Sequence, residues 1–159
     1  MIGYAKNDGG RAASGRRGQT GDCVVRAIAI LTGADYDRVY NDMAAAMKAA
    51  GFPATGDARR TRGPKAWRVQ QNVLESYGLE KIYMPARSRK PTYTEAYEKY
   101  GNCVVKTTRH LAAIRDGKLQ DIADSRLYLW DGGYAGTIRE RSRKATSIWI
   151  LSRKSKEEK

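Results

Sequence analysis

The chain has 159 residues, 41% of them hydrophobic, and carries 30 Lys and Arg against 17 Asp and Glu, a formal net charge of +13. A single domain of this length buries a core without cross-links, and two cysteines, Cys23 and Cys103, make neither a disulfide framework nor a metal knuckle. No apolar run is long enough to span a membrane and the N-terminus lacks a signal-peptide core, so a soluble, cytoplasmic protein is expected, with no membrane partner, metal or cofactor.

Residues 1–18 are rich in Gly, Ser and Arg and poor in apolar groups, which predicts a flexible basic arm. The stretch Gln19-Thr-Gly-Asp-Cys-Val-Val-Arg-Ala-Ile-Ala-Ile-Leu-Thr-Gly33 then reads as a loop followed by a helix. Asp22 is a good N-cap, its carboxylate suited to the free N–H groups of the first turn. Gly33 is a good stop. Between them Val24, Val25, Ala27, Ile28, Ala29, Ile30 and Leu31 are apolar nearly all round, the pattern of a buried helix. Cys23 stands at its start, where backbone N–H groups favour a thiolate.

Further helices are predicted at 36–50, 65–77 and 92–100. In the first of these, Tyr36, Val39, Tyr40, Met43 and Met47 form one apolar stripe and read as core. Residues 52–64 are a Pro- and Gly-broken loop whose Arg59, Arg60 and Arg62 make a dense basic cluster. A short strand is expected at 81–84. The pattern becomes β-like at 103–108, in a hairpin over 110–124, at 127–130 and at 147–151, with a loop at 131–136 and a charged tail at 153–159. Helices followed by an antiparallel sheet give an α+β domain over 19–152.

His110 is the one histidine, so a Cys/His pair has no other possible members. A thiol of ordinary pKa, about 8.5, is only a few per cent ionised at neutral pH. A helix N-terminus contributes at most about 2 kcal/mol, and an imidazolium neighbour shifts the balance further while supplying a proton for a leaving group. The hairpin selects the acid that would orient the imidazole. With Asp116-Gly117 as a two-residue turn, Arg115 faces Lys118 and Ala112 faces Asp121. His110 and Asp121 then share a face as diagonal neighbours. Asp124 falls on the other face unless a bulge shifts the register, and is the second choice. Cys103 lies in an apolar strand and reads as core.

Gly-Asp-Cys opening a buried helix, with a later His beginning a strand and an acid on the returning strand, resembles the papain-like cysteine peptidase superfamily. Over residues 19–151 the chain is similar to compact members that process bacteriocin leader peptides and to small papain-like proteins encoded in bacteriophage genomes. The resemblance implies a papain-like fold, a buried central helix packed on a C-terminal antiparallel sheet. It also implies an oxyanion hole made by the Cys23 backbone N–H and a preceding side chain, Gln19 first, with Thr20 or Asp22 as alternatives. The expected activity is thiol-dependent cleavage or transfer at a peptide, isopeptide or related acyl bond, through Cys23, His110 and Asp121. The positive charge supports an alternative: a non-enzymatic basic module that binds nucleic acid or an acidic protein on the same scaffold.

Overall fold

Cys23–Thr32 forms helix α1, and every side chain from Val24 to Leu31 is buried. The structure, a computed structural model, describes residues 1–17, 21–52, 63–107, 110–129, 138–140 and 145–152, with backbone alone at 127–129 and 138–140. Gln19, the Arg59–Arg62 cluster, the loop at 131–136 and the tail at 153–159 lie outside the described residues. Helix α2 (Tyr36–Ala49) buries Tyr36, Val39, Met43 and Met47 as expected, and α3 (Pro64–Ser76) buries Ala66, Val73 and Leu74. Helix α4 (Tyr93–Tyr100) opens on a capping box between Thr92 and Glu95.

The strands are β1 (Gly3–Lys6), β2 (Leu79–Ile82), β3 (Cys103–Lys106), β4 (Leu111–Arg115), β5 (Lys118–Asp121), β6 (Leu127–Leu129), β7 (Ile138–Glu140) and β8 (Ser147–Leu151). Six of them form one sheet in the order β1-β5-β4-β3-β8-β2, and β6 pairs with β7 in a separate ribbon. The architecture is α+β, but the main sheet is mixed: β1 runs parallel to β5. The sheet is therefore neither wholly C-terminal nor wholly antiparallel. Its two edges, β1 and β2, come from before and among the helices, and β2 begins two residues earlier than the predicted strand.

Side chains alternate across the central strands. Val104, Leu111, Ala113 and Trp149 pack on the face that carries α1, α2 and α3. Cys103, Val105, Ala112, Ile114, Leu119 and Ile148 pack on the other face with Tyr93 and Ala96 of α4. Strands covered on both faces read as continuous apolar runs, which is why 103–105 and 111–114 show no polar alternation. A fully buried side chain such as Ile28, Ile114 or Ile148 contributes about 1.5–3 kcal/mol. The β4–β5 hairpin turns at Asp116 (φ 54°) and Gly117 (φ 72°), both left-handed as a type I′ turn demands, and its register is the predicted one.

Residues 1–17 depart from the flexible arm expected of their composition. Ile2 is buried in the α4-side core, and the backbone of Gly3–Lys6 occupies the edge of β5. The turn that follows is held by side-chain oxygens: Asn7 accepts from the Gly9 N–H, and Asp8 accepts from those of Gly10 and Ala12. It lies directly on α1. Gly9 has φ +70°, and a Cβ there would stand 3.2 Å from the Arg26 Cα and carbonyl oxygen. Arg11, 3% exposed, donates to the Asp22 carboxylate at 3.0 Å and to the Tyr36 hydroxyl at 2.9 Å. Charge pairing and backbone pairing thus order a segment with little apolar surface.

Arg11→Met should lower the unfolding free energy by about 3 kcal/mol or more, because the Asp22 carboxylate then stays buried without one of its charge partners. Arg89→Met, which breaks an exposed, solvent-screened pair with Glu95, should change it far less. Urea titration of the two variants measures both. Equal, small losses would show that the N-terminal segment is not built into the core.

Candidate active site

Cys23 is the first residue of α1 and is half-buried at the helix mouth. Its N–H belongs to the first-turn donors that a helix leaves without intrahelical partners. His110 precedes β4 by one residue, and Asp121 ends β5. The β4–β5 ladder stops at Ala113–Gln120, so both residues stand where the two strands are no longer paired. There the His110 Nε2 and Asp121 Oδ2 meet at 2.5 Å, the diagonal contact that the hairpin register predicts. The His110 ring also hydrogen-bonds the Cys23 side chain, and the Leu111 backbone N–H donates to the same sulfur. With Nε2 on Asp121, Nδ1 is the ring nitrogen left for the sulfur.

The electrostatics follow from these contacts. Burial alone would raise the Cys23 pKa. The hydrogen bond and charge of His110 outweigh it, with help from the Leu111 N–H and the charge of Arg26, and bring the thiol below its ordinary range. Burial would lower His110, but its hydrogen bonds to Asp121 and Cys23 and their charges carry it up to about 9. Cys103, fully buried in β3 with no such partner among the described residues, is pushed up to about 12 by burial. The arrangement favours a thiolate on Cys23 beside an imidazolium on His110.

Asp121 is itself part of a buried charge network. Its Oδ1 accepts from the Ile122 N–H at 2.7 Å and from the Arg26 guanidinium at 3.5 Å. Arg26 also pairs with Asp22, one helical turn earlier. Asp22 in turn accepts from Arg11 and, at 2.5 Å, from the Tyr36 hydroxyl. This corrects the capping role expected of Asp22: its side chain makes no cap hydrogen bond, since three buried donors claim both oxygens. As an acceptor-only carboxylate so engaged, it offers no hydrogen to an oxyanion. Arg26 is the residue that sequence reasoning missed. It sits 3% exposed in a helix that reads as apolar, and the one available signal was its i,i+4 spacing from Asp22.

Asp124 is exposed and bound to the Arg126 guanidinium at 2.8–2.9 Å, so Asp121 is the acid on His110. Gln19 and Thr20 lie outside the described residues. Among the described residues no group of three His, Cys, Asp or Glu side chains could hold a metal ion, and no helix is long and apolar enough to cross a membrane. An open polar concavity of about 360 Å³ lies at the other end of α1, beside Gly33, Arg115 and Gln120, and contains no nucleophile. Comparison with known proteins gives no match to this chain among family models, curated proteins or solved structures.

Iodoacetamide should alkylate Cys23 in the folded protein at pH values below the ordinary thiol range of about 8.5, while Cys103 should react only on unfolding. His110→Ala removes the cation that lowers the Cys23 pKa and leaves the burial that raises it. The rise in Cys23 labelling should therefore move to a pH above that of the wild type. Peptide mapping of the two cysteines across pH 5–10 reads both effects, and equal slow labelling would contradict the ion pair.

Proposed function

We propose that the protein is a thiol-dependent acyl hydrolase of the papain-like kind, acting on a peptide, isopeptide or related acyl bond in a protein or peptide. The observation that carries this reading is one hydrogen-bonded chain, Cys23–His110–Asp121, joining the start of a buried helix to the open end of a hairpin. A buried first helix bearing the cysteine, packed on a sheet whose hairpin bears the histidine and acid, is also the order of parts that the papain-like resemblance implies. The parallel edge strand β1 is an addition to that pattern.

In this mechanism the Cys23 thiolate attacks the carbonyl carbon and forms a C–S bond. His110, as imidazolium, gives its proton to the leaving amine as the C–N bond breaks, which leaves a thioester and a neutral imidazole. His110 then takes a proton from water, the resulting hydroxide equivalent attacks the thioester, and the thiolate leaves. Asp121 fixes the ring so that Nδ1 faces the sulfur and stabilises the imidazolium. The Cys23 N–H and the Gln19 side chain are the proposed donors to the oxyanion. The cycle returns the enzyme to its starting protonation state and consumes one water.

Cys23→Ala should abolish hydrolysis of a mixed peptide library followed by mass spectrometry. His110→Ala should lower the rate by about 10²–10⁴, and Asp121→Asn by less, since the imidazole remains. The pH–rate profile should be bell-shaped. Its acid limb reflects protonation of Cys23 below the usual thiol range, and its alkaline limb reflects loss of the His110 proton near pH 9. An epoxysuccinyl peptide that leaves Cys23 unmodified, together with an inert library, would overturn the proposal.

A further inference from the structure

Lys106 is the last residue of β3 and the register partner of Leu111, whose N–H donates to the Cys23 sulfur. Paired Cα atoms of antiparallel strands are roughly 5 Å apart, so Lys106 is rooted next to the site. On its other side it pairs with Ser147. Alternation from Val104 puts its side chain on the face that carries α1 and α3, the face of Cys23. The Nζ stands 4.7 Å from the centre of the Trp67 ring and 3.2 Å from the Thr107 carbonyl oxygen. Trp67 packs against the same core cluster as Cys23, and its ring is held edge-on by the buried Trp149 at 6.3 Å.

Lys106 has no carboxylate partner among the described residues, and its only oxygen acceptor there is a neutral carbonyl. Burial, together with the neighbouring charge of Lys81, disfavours its ammonium form, while the charge of Cys23 favours it. An ammonium has three donors, and the Thr107 carbonyl takes one. A partly buried cation with two donors to spare, beside a fixed aromatic wall and a nucleophile, is complementary to an anion on a short apolar stem. The stem would lie on Trp67 and the charge would meet Nζ.

We infer that Lys106 and Trp67 form a subsite for a carboxylate-bearing group of the substrate, next to the acyl carbon that Cys23 attacks. The inference rests on Cys23 being the nucleophile, as proposed above. The carboxylate is supplied by an acidic side chain or by a free chain terminus, and both present the same chemistry to Lys106.

Iodoacetate and iodoacetamide, an anionic and a neutral reagent of nearly equal size, test the subsite without requiring a known substrate. On the full chain, the rate ratio of iodoacetate to iodoacetamide at Cys23 should exceed the ratio for glutathione by at least roughly fivefold, since one screened charge pair at contact is worth about that factor and the His110 imidazolium adds to it. Lys106→Gln should lower the ratio roughly fivefold from its wild-type value, leaving the contribution of the His110 imidazolium, and Lys106→Arg should retain most of it. A wild-type ratio equal to that of glutathione, or an unchanged ratio in Lys106→Gln, would overturn the subsite. Slow alkylation by both reagents would overturn the nucleophile reading and this inference with it. Short peptides used as competitors of iodoacetamide separate the two sources. Stronger protection by Glu than by matched Gln peptides identifies a side chain, and stronger protection by free-acid than by amidated peptides identifies a terminus. Protection by neither overturns the subsite.

Discussion

The buried carboxylate of Asp121 is the point on which the site and much of the surrounding fold depend. A carboxylate 3% exposed survives as an anion only when its oxygens are satisfied. Here one oxygen meets His110 and the other meets the Ile122 N–H and Arg26. Arg26 is a cation inside an otherwise apolar helix, so it needs Asp22. Asp22 is shared with Arg11 and Tyr36. The chain of partners balances two guanidinium ions against two carboxylates and joins the arm, α1, α2 and the hairpin. The balance is incomplete in one place. The Arg26 Nε is buried with no hydrogen-bond partner among the described residues, a cost that the two ion pairs at the other end of its guanidinium offset.

The two cysteines separate the causes of thiol activation. Both are subject to burial, which disfavours the thiolate. Cys103, in the middle of the sheet, has only that influence and is shifted to about 12. Cys23 has in addition an imidazole, a backbone N–H and a guanidinium nearby, and is shifted the other way. The helix N-terminus alone contributes at most about 2 kcal/mol. The reversal therefore comes mainly from His110, and through it from Asp121, which keeps the ring charged up to about 9.

What could be read from the residues divides along the same physical line. Short-range rules worked where the chain itself enforces them. Asp116-Gly117 forces two left-handed residues, so the pairing of β4 with β5 follows, and with it the meeting of His110 and Asp121. The apolar periodicity of α2 likewise specifies its buried face. Long-range polar pairing was not legible. Nothing local distinguishes Arg11 from the other arginines of a Gly-rich segment, or shows that β1 will add in parallel to a strand more than a hundred residues later. Arg26 was hidden for the opposite reason, since seven apolar neighbours make the helix look free of polar demands. Asp22 has the right position for a cap, but two buried cations and a tyrosine hydroxyl bind its carboxylate more strongly than exposed N–H groups do.

The N-terminal segment consequently cannot be treated as an appendage to the site. Strand β1 covers one side of β5, and β4 covers the other. Two groups from the segment, the Asn7 N–H and the Tyr4 hydroxyl, both donate to the carbonyl oxygen of Asp121, at 2.9 and 3.1 Å. The Asn7 side chain donates to Gln120 in the next position. The backbone that carries the acid is therefore fixed by the segment, while its carboxylate is fixed by Arg26. Arg26 in turn is held against the arm by the close approach of Gly9 and by Arg11 acting through Asp22. A displacement of the segment would reach His110 by both routes, through the β5 backbone and through the charge network.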